Sequence, residues 1–161
     1  MGGIEVLRGN HPVPGQASFE ATASLLRRLR RRPPDDVILL LLSGGASALL
    51  ARPSPGIDRA DKRRLGKILL RCGADIALAN AVRKHVSAIK GGGLLRLAAP
   101  RRVLTLALSD VPGDRLDTIG SGPGVPDPTS YEEAWTGLQA LGALDALPGS
   151  CLLYTSDAAD E

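Results

Sequence analysis

The sequence predicts an α/β fold built on an open, mostly parallel sheet with helices on both faces, here in truncated form. Two observations carry this expectation. Val37 to Leu42 and Val103 to Leu108 are unbroken apolar runs without alternation, the pattern of parallel strands covered on both sides. Between and around them lie segments with apolar residues at helical spacing, and strand–helix alternation of this kind belongs to parallel α/β sheets. Only two strong strands are evident, whereas a sheet with this many helices commonly has four or more.

In chain order, Ile4 to Leu7 reads as a short β-like segment leading into Asn10-His11-Pro12-Val13-Pro14-Gly15, where the prolines forbid regular structure. Ser18 is the expected N-cap of a first helix with Ala21, Leu25 and Leu29 on its inner stripe, ended by Pro33-Pro34. After the first strand, Ser43 to Ser47 is a glycine-containing loop, followed by a short helical patch through Leu50. Asp58 is the expected N-cap of a helix with Leu65, Ile68, Leu69 and Cys72 on one face and Gly73 as its stop. A further helix is predicted from Asp75 to about Ile89, with Leu78, Val82, Val86 and Ile89 inward. Lys90-Gly91-Gly92-Gly93 interrupts it, and a short helix then runs to Ala99. The second strand opens into a long Gly-, Pro- and Asp-rich loop, 109–130, whose length suggests function. Tyr131 to Leu141 forms the last helix, with Ala134, Leu138 and Leu141 on its inner face. The segment from Ser150 to Glu161 does not continue this pattern and resembles a translated adapter; it is set aside as a non-native tail, leaving 1–149 as a partial domain.

At 161 residues there is room for one domain. Aromatic residues make up 2%, so the core must come from Leu, Ile, Val and Ala, and stacking platforms for nucleic acid are lacking. The net charge of +3 is concentrated in Arg27 to Arg32, which reads as a solvated helix end whose cations complement the macrodipole rather than as a nucleic-acid patch. No apolar run approaches the roughly 20 residues of a membrane span. Two cysteines and no visible signal segment point to a reducing, cytoplasmic setting.

Three stretches carry candidate chemistry. Ser43, Gly44, Gly45 and Ser47 follow the first strand, where ligands bind in open α/β sheets. Glycines there admit an anion to the backbone, and the hydroxyls stand beside a helix start; plain strand-to-helix punctuation is the alternative. The stretch has neither a P-loop lysine nor G-x-G-x-x-G spacing. In the next stretch, Asn80, Lys84 and Ser87 lie at i, i+4, i+7 with Arg83 beside them, and Lys90 precedes Gly91 and Gly92. An ordinary polar helix face explains the first four; the added lysine and glycines suggest a site for phosphate or carboxylate. His85 reads as a structural hydrogen-bonder before a base. The third stretch is Ser109-Asp110-Val-Pro-Gly-Asp114, continuing to Ser121-Gly122-Pro123 and Pro126-Asp127-Pro128-Thr129. Asp110 and Asp114 suit Mg²⁺ bridged to phosphates, or else cap loop amides.

Taken together, Leu42-Ser-Gly-Gly-Ala-Ser-Ala-Leu-Leu50, Asn80-Ala-Val-Arg-Lys-His-Val-Ser-Ala-Ile-Lys-Gly-Gly92, Leu108-Ser-Asp-Val-Pro-Gly-Asp114 and Ser121-Gly-Pro-Gly-Val-Pro-Asp-Pro-Thr129 resemble the N-terminal domain of glycerate 2-kinases of the MOFRL-associated type, as does His11-Pro-Val-Pro14. The resemblance spans residues 4 to 149. It implies a Rossmann-like domain, a second C-terminal domain across a cleft, and ATP- and Mg²⁺-dependent phosphorylation of D-glycerate to 2-phosphoglycerate. On the matching positions, Ser43, Gly44, Gly45 and Ser47 would line a phosphate or substrate pocket, joined by Asn80, Ser121 and Gly122. Arg83, Lys84, Lys90, Gly91 and Gly92 would bind anionic oxygens. Lys84, Lys90, Asp110 and Asp114 are the expected catalytic set, with Asp110 and Asp114 orienting Mg²⁺ or the glycerate hydroxyl.

This sequence departs from the family at Gly15, where an acidic residue is usual. A Gly-Lys-Ala strand expected upstream and an Arg from the second domain are missing, so the chain alone is expected to be inactive. Two other readings stay open: a non-catalytic nucleotide- or anion-binding module, and an NAD(P)-dependent hydroxypyruvate reductase, for which no dinucleotide fingerprint is present.

Overall fold

A computed structural model describes residues 4–156. Its elements in chain order are α1 (Gln16–Arg30), β1 (Val37–Leu42), α2 (Ala46–Leu49), α3 (Arg59–Arg71), α4 (Ile76–His85), α5 (Gly93–Ala98), β2 (Arg102–Ala107), α6 (Tyr131–Ala140) and α7 (Gly149–Ser156), with 3₁₀ turns at Ile119–Ser121 and Leu144–Ala146. β1 and β2 pair in parallel, Val37 opposite Arg102 through Leu42 opposite Ala107. The parallel α/β reading stands. Because the strands are in register, their carboxyl ends lie side by side, and the Leu108 amide extends the ladder to the Leu42 carbonyl at 2.8 Å.

Side chains alternate across this sheet. Ile38, Leu40 and Val103 face a layer made by Leu26 and Leu29 of α1 and Leu94 and Ala98 of α5. Val37, Leu39, Leu41, Leu104 and Leu106 point the other way and are more than half exposed. The apolar runs are therefore covered on one face among the described residues, while the opposite face is bare.

A second core lies away from the sheet. Leu65 and Leu69 of α3, Val82 of α4, Ala134 and Leu138 of α6, and Cys151 of α7 pack together. Cys151 is 1% exposed, so the segment set aside from residue 150 has a side chain in the folded core; residues 157–161 lie outside the described part.

Local signals explain most boundaries. Asp58 caps α3 by accepting from the Asp61 amide at 2.7 Å, and Asp75 caps α4 through the Leu78 amide at 2.8 Å. Ser130 and Glu133 close a capping box at the start of α6. Four sequence expectations are corrected. Ile4 to Leu7 forms no strand, and Ile4 and Val6 are largely exposed. Gly15, not Ser18, caps α1. Ser18 is buried inside the helix, where its hydroxyl accepts from the Asn10 amide at 2.8 Å and ties down the proline loop. The inner face of α1 is consequently Ser18, Thr22, Leu26 and Leu29, with Leu25 exposed. Leu141 ends α6 and is exposed.

The fourth correction sets up the site. α4 stops at His85 instead of Ile89 because the 52–54 segment takes over the backbone beyond it. Ser54 donates to the Val86 carbonyl at 3.2 Å, and the Ala88 amide donates to Arg52 at 3.1 Å. Val86 and Ile89 remain buried, as their spacing predicts, and the early stop turns Lys90 inward.

Candidate functional site

A pocket of about 230 Å³ opens where the proline loop, α2, α3 and the end of α4 meet. His11, Pro12 and Val13 form one wall, and Lys62, Arg83 and Lys90 bring three cationic groups to it. Lys62 and Lys90 are 5% and 2% exposed. Lys62 Nζ donates to the Val86 carbonyl at 2.8 Å. Lys90 Nζ donates to the Ser47 carbonyl at 2.6 Å, Ser47 Oγ at 3.1 Å and the Leu50 carbonyl at 3.4 Å. No carboxylate pairs with Lys62, Arg83 or Lys90 among the described residues.

Buried positive charge without a counter-charge is costly, and the proton equilibria reflect it. Burial pulls the Lys62 ammonium down to about 7, the Arg83 charge adding to this and the Cys151 thiol opposing it. Lys90 is pulled well below the ordinary lysine range by burial and by the Lys62 and Arg83 charges. Arg83 is also lowered by burial. For a base whose folded value lies below its unfolded one, the unfolded chain binds more protons across the interval, so stability rises with pH. Stability is thus expected to climb from about pH 7 toward the ordinary lysine range near 10.4. Chemical denaturation of the chain and of Lys62→Met across that range checks this: the slope should be shallower in the variant, and equal slopes would refute it.

A hydrogen-bonded chain joins three of the sequence stretches at this pocket. Ser121 Oγ donates to Asn80 Oδ1 at 3.2 Å, and Ser47 and Ser121 hydroxyls are 2.7 Å apart. With the Ser121 proton directed to Asn80, Ser47 donates to Ser121 and is left to accept from Lys90. Asn80, Ser121, Ser47 and Lys90 are therefore one assembly that orients the Lys90 ammonium. Gly45 starts α2 beside the His11 ring.

At the adjoining sheet end, Ser43 and Gly44 are exposed, and Asp110 lies over Gly44. A Cβ on Gly44 would come within 2.9 Å of Asp110 Oδ2, so glycine permits this approach. Asp114 is exposed in the turn closed by its amide on the Val111 carbonyl at 3.0 Å.

The remaining predicted residues face elsewhere. Lys84 points to the opposite side of α4, where its buried Nζ meets Asp127 Oδ1 at 3.0 Å and Asp117 Oδ2 at 3.4 Å. The expected role of Gly91 and Gly92 as an anion cradle is corrected by where their amides go. They donate to the Ser121 and Gly122 carbonyls at 3.0 and 2.8 Å. They clamp the 121–126 loop and leave no backbone N–H for an anion. His85 stacks on Tyr131 with ring centroids 4.1 Å apart and lies 3.3 Å from Thr129 Oγ1, a structural setting; burial lowers its pKa, with the Asp127 charge opposing.

Lys62 escaped the sequence reading. Its signal was present: with Leu65 and Leu69 at i+3 and i+7 it lies on the apolar stripe of α3, an unusual place for a lysine.

Residues 1–154 match the family described as domain of unknown function DUF4147. The chain belongs to the DUF4147 family. This domain forms the N-terminal part of glycerate 2-kinases, which agrees with the motif resemblance. The D-glycerate 2-kinase of Thermotoga maritima is 40% identical over 86% of this chain and 33% of its own length. A protein of Agrobacterium vitis named for hydroxypyruvate reductase is 47% identical over 83% of this chain and 34% of its own. The crystal structure of a glycerate kinase from Thermotoga maritima superposes with a TM-score of 0.81 and 37% identity, covering 91% of the DUF4147 chain and 35% of that chain. The DUF4147 chain thus spans about a third of the length of the curated relatives it matches. Among the described residues, no helix is long and apolar enough to cross a membrane.

Proposed function

We propose that this chain is part of a glycerate 2-kinase that phosphorylates D-glycerate to 2-phosphoglycerate with ATP and Mg²⁺. The observation that carries the reading is the pocket in which Lys62, Arg83 and Lys90 converge without a carboxylate among the described residues. Glycerate and hydroxypyruvate, the two acids in the relatives' names, are both three-carbon carboxylates, and a small cationic pocket suits that shared group. Arg83 presents a planar fork that a carboxylate can meet with both oxygens, while Lys90 is held in place through Ser47, Ser121 and Asn80. The proline loop and the apolar side chains of α3 line the rest of the pocket.

Asp110 and Asp114 are exposed carboxylates beyond β2, and no cluster of three or more His, Cys, Asp or Glu able to hold a metal exists among the described residues. One or two carboxylates completed by phosphate oxygens is the donor set Mg²⁺ commonly takes. These residues fit an ion that arrives with the nucleotide, with Asp110 beside the Ser43-Gly44 loop. When bound, Mg²⁺ neutralises phosphate charge during transfer. The bare face of the sheet suits cover by further chain of the same protein, including the C-terminal domain that the family resemblance implies. The reading places the protein in the cytoplasm.

The test is to put this chain in place of the matching third of the Thermotoga maritima kinase. ADP is expected to form from ATP only when D-glycerate is present, and the 161-residue chain alone is expected to form none. NADH oxidation with hydroxypyruvate in place of ADP formation would favour the reductase reading and overturn this one. Binding of Mg²⁺–ATP without turnover by the chimera would favour a non-catalytic module.

A further inference from the structure

Lys62 stands apart from every residue that the motifs single out. It belongs to α3, a helix that supplies none of the glycine-rich or acidic loops, and it occupies an inward position where leucine would be expected. Its stem fills the apolar stripe, and its ammonium reaches the pocket with one hydrogen bond, to Val86. Two of its three N–H donors therefore have no protein acceptor among the described residues. Arg83 lines the same pocket without a carboxylate partner among the described residues. Elsewhere the chain pairs buried charge: Lys84, equally enclosed, has two aspartates. Among the described residues the missing counter-charge is therefore local to the Lys62 pocket, and an anion entering it would supply one.

We propose that Lys62 completes a three-cation site with Arg83 and Lys90, and that this site takes the carboxylate of a small hydroxy acid. The choice of acid rests on the kinase reading above. Size supports it. The pocket, at about 230 Å³, is smaller than the roughly 300–1,000 Å³ typical of drug-sized ligands, so a three-carbon acid fits and a whole nucleotide does not. Lys62 is a specificity-determining residue in this arrangement: with Arg83 and Lys90 it surrounds one compact anion, while the apolar walls disfavour a second charge.

The site has a proton signature. Among the described residues, Arg83 from α4, Lys90 from the following loop, His11 from the proline loop and Cys151 from α7 are the titratable groups around Lys62, and the start of its own helix adds the capping Asp58 and Asp61 nearby. In the empty pocket burial and the Arg83 charge, opposed by Cys151, favour neutral Lys62 above neutral pH. A bound carboxylate favours the charged form, so at pH 8 binding should draw a proton from the buffer onto Lys62 Nζ.

The experiment is calorimetric titration of D-glycerate, and separately inorganic phosphate, into the 161-residue chain at pH 8, in two buffers of different ionisation heat. Lys62→Met keeps the stem and removes the charge; Lys67→Met, on the exposed side of α3, is the control. D-glycerate is expected to bind with net proton uptake, at least tenfold more weakly to Lys62→Met and unchanged to Lys67→Met. Equal binding by Lys62→Met would overturn the role of Lys62 and leave the kinase reading standing. Lys62-dependent binding of phosphate but not glycerate would support the three-cation site and overturn the choice of acid. Binding of neither anion would overturn the site itself. Should Lys62→Met fail to fold, mass-spectrometric mapping of amine acylation on the unaltered chain decides: D-glycerate should slow modification at Lys62, and absence of protection would overturn the proposal.

Discussion

Replacing Lys84 by methionine is expected to destabilise the folded chain by about 3–5 kcal/mol, the usual result of removing one partner from a buried ion pair. The lysine side chain is 2% exposed, and the Asp117 and Asp127 side chains are 17% and 16% exposed. Without Lys84, Asp127 loses its cation while still held by the Thr129 amide and hydroxyl at 2.9 and 2.7 Å. Asp117 retains Arg115, but on its solvent side. The loop from 115 to 129 is pinned to α4 by this pair together with the Ser121–Asn80 and Thr129–His85 hydrogen bonds, so loss of the pair should also loosen Ser121 and, through Ser47, the orientation of Lys90. Urea denaturation is the measurement; a change under about 1 kcal/mol would show that the pair contributes little. The pair also has an acid limb. Asp117 is held below the usual carboxylate range, chiefly by the Arg115 hydrogen bond and further by Lys84. Its stabilisation is therefore complete above the unfolded carboxylate value near 3.9 and is lost as pH falls through the folded value.

Gly92→Ala is expected to cost about 2–4 kcal/mol, from left-handed backbone strain together with overpacking. Gly92 has φ 75° and starts α5, and a Cβ there would lie 3.1 Å from the Val125 carbonyl and 3.4 Å from Pro126 Cα. Both neighbours are backbone in the clamped loop and cannot swing aside as a side chain would. The urea midpoint should fall with an unchanged slope, since the exposed surface on unfolding is the same. An anion cradle would behave differently: ligand affinity would fall while stability without ligand stayed constant. That second outcome would restore a direct binding role to the glycines.

Much of the fold was legible because its causes are local. The apolar run of β1, the Asp58 cap and the prolines beside helix ends act within a few residues, and the structure places those elements where the sequence does. The misplacements share another cause. Ser18 looked like a cap because capping is what a serine before a helix commonly does, yet a distant amide, Asn10, claimed its hydroxyl. α4 was read too long because its apolar spacing continues to Ile89, whereas hydrogen bonds from residues 52–54 ended it early.

The candidate site shows the same division more sharply. The sequence by itself determined the family, the loops at the strand ends and the supply of basic residues and glycines, since motif order and composition need no coordinates. Only the tertiary structure decided where each charge points. Arg83 and Lys84 are neighbours in sequence, but successive helical positions differ by about 100°, so one lines the pocket and the other is consumed by two aspartates. The same packing uses the Gly91 and Gly92 amides for a loop clamp and brings Lys62 from α3 to a site that its own motif never announced. Charge burial and hydrogen-bond satisfaction depend on groups more than 20 residues away, and that is the information a local pattern does not contain.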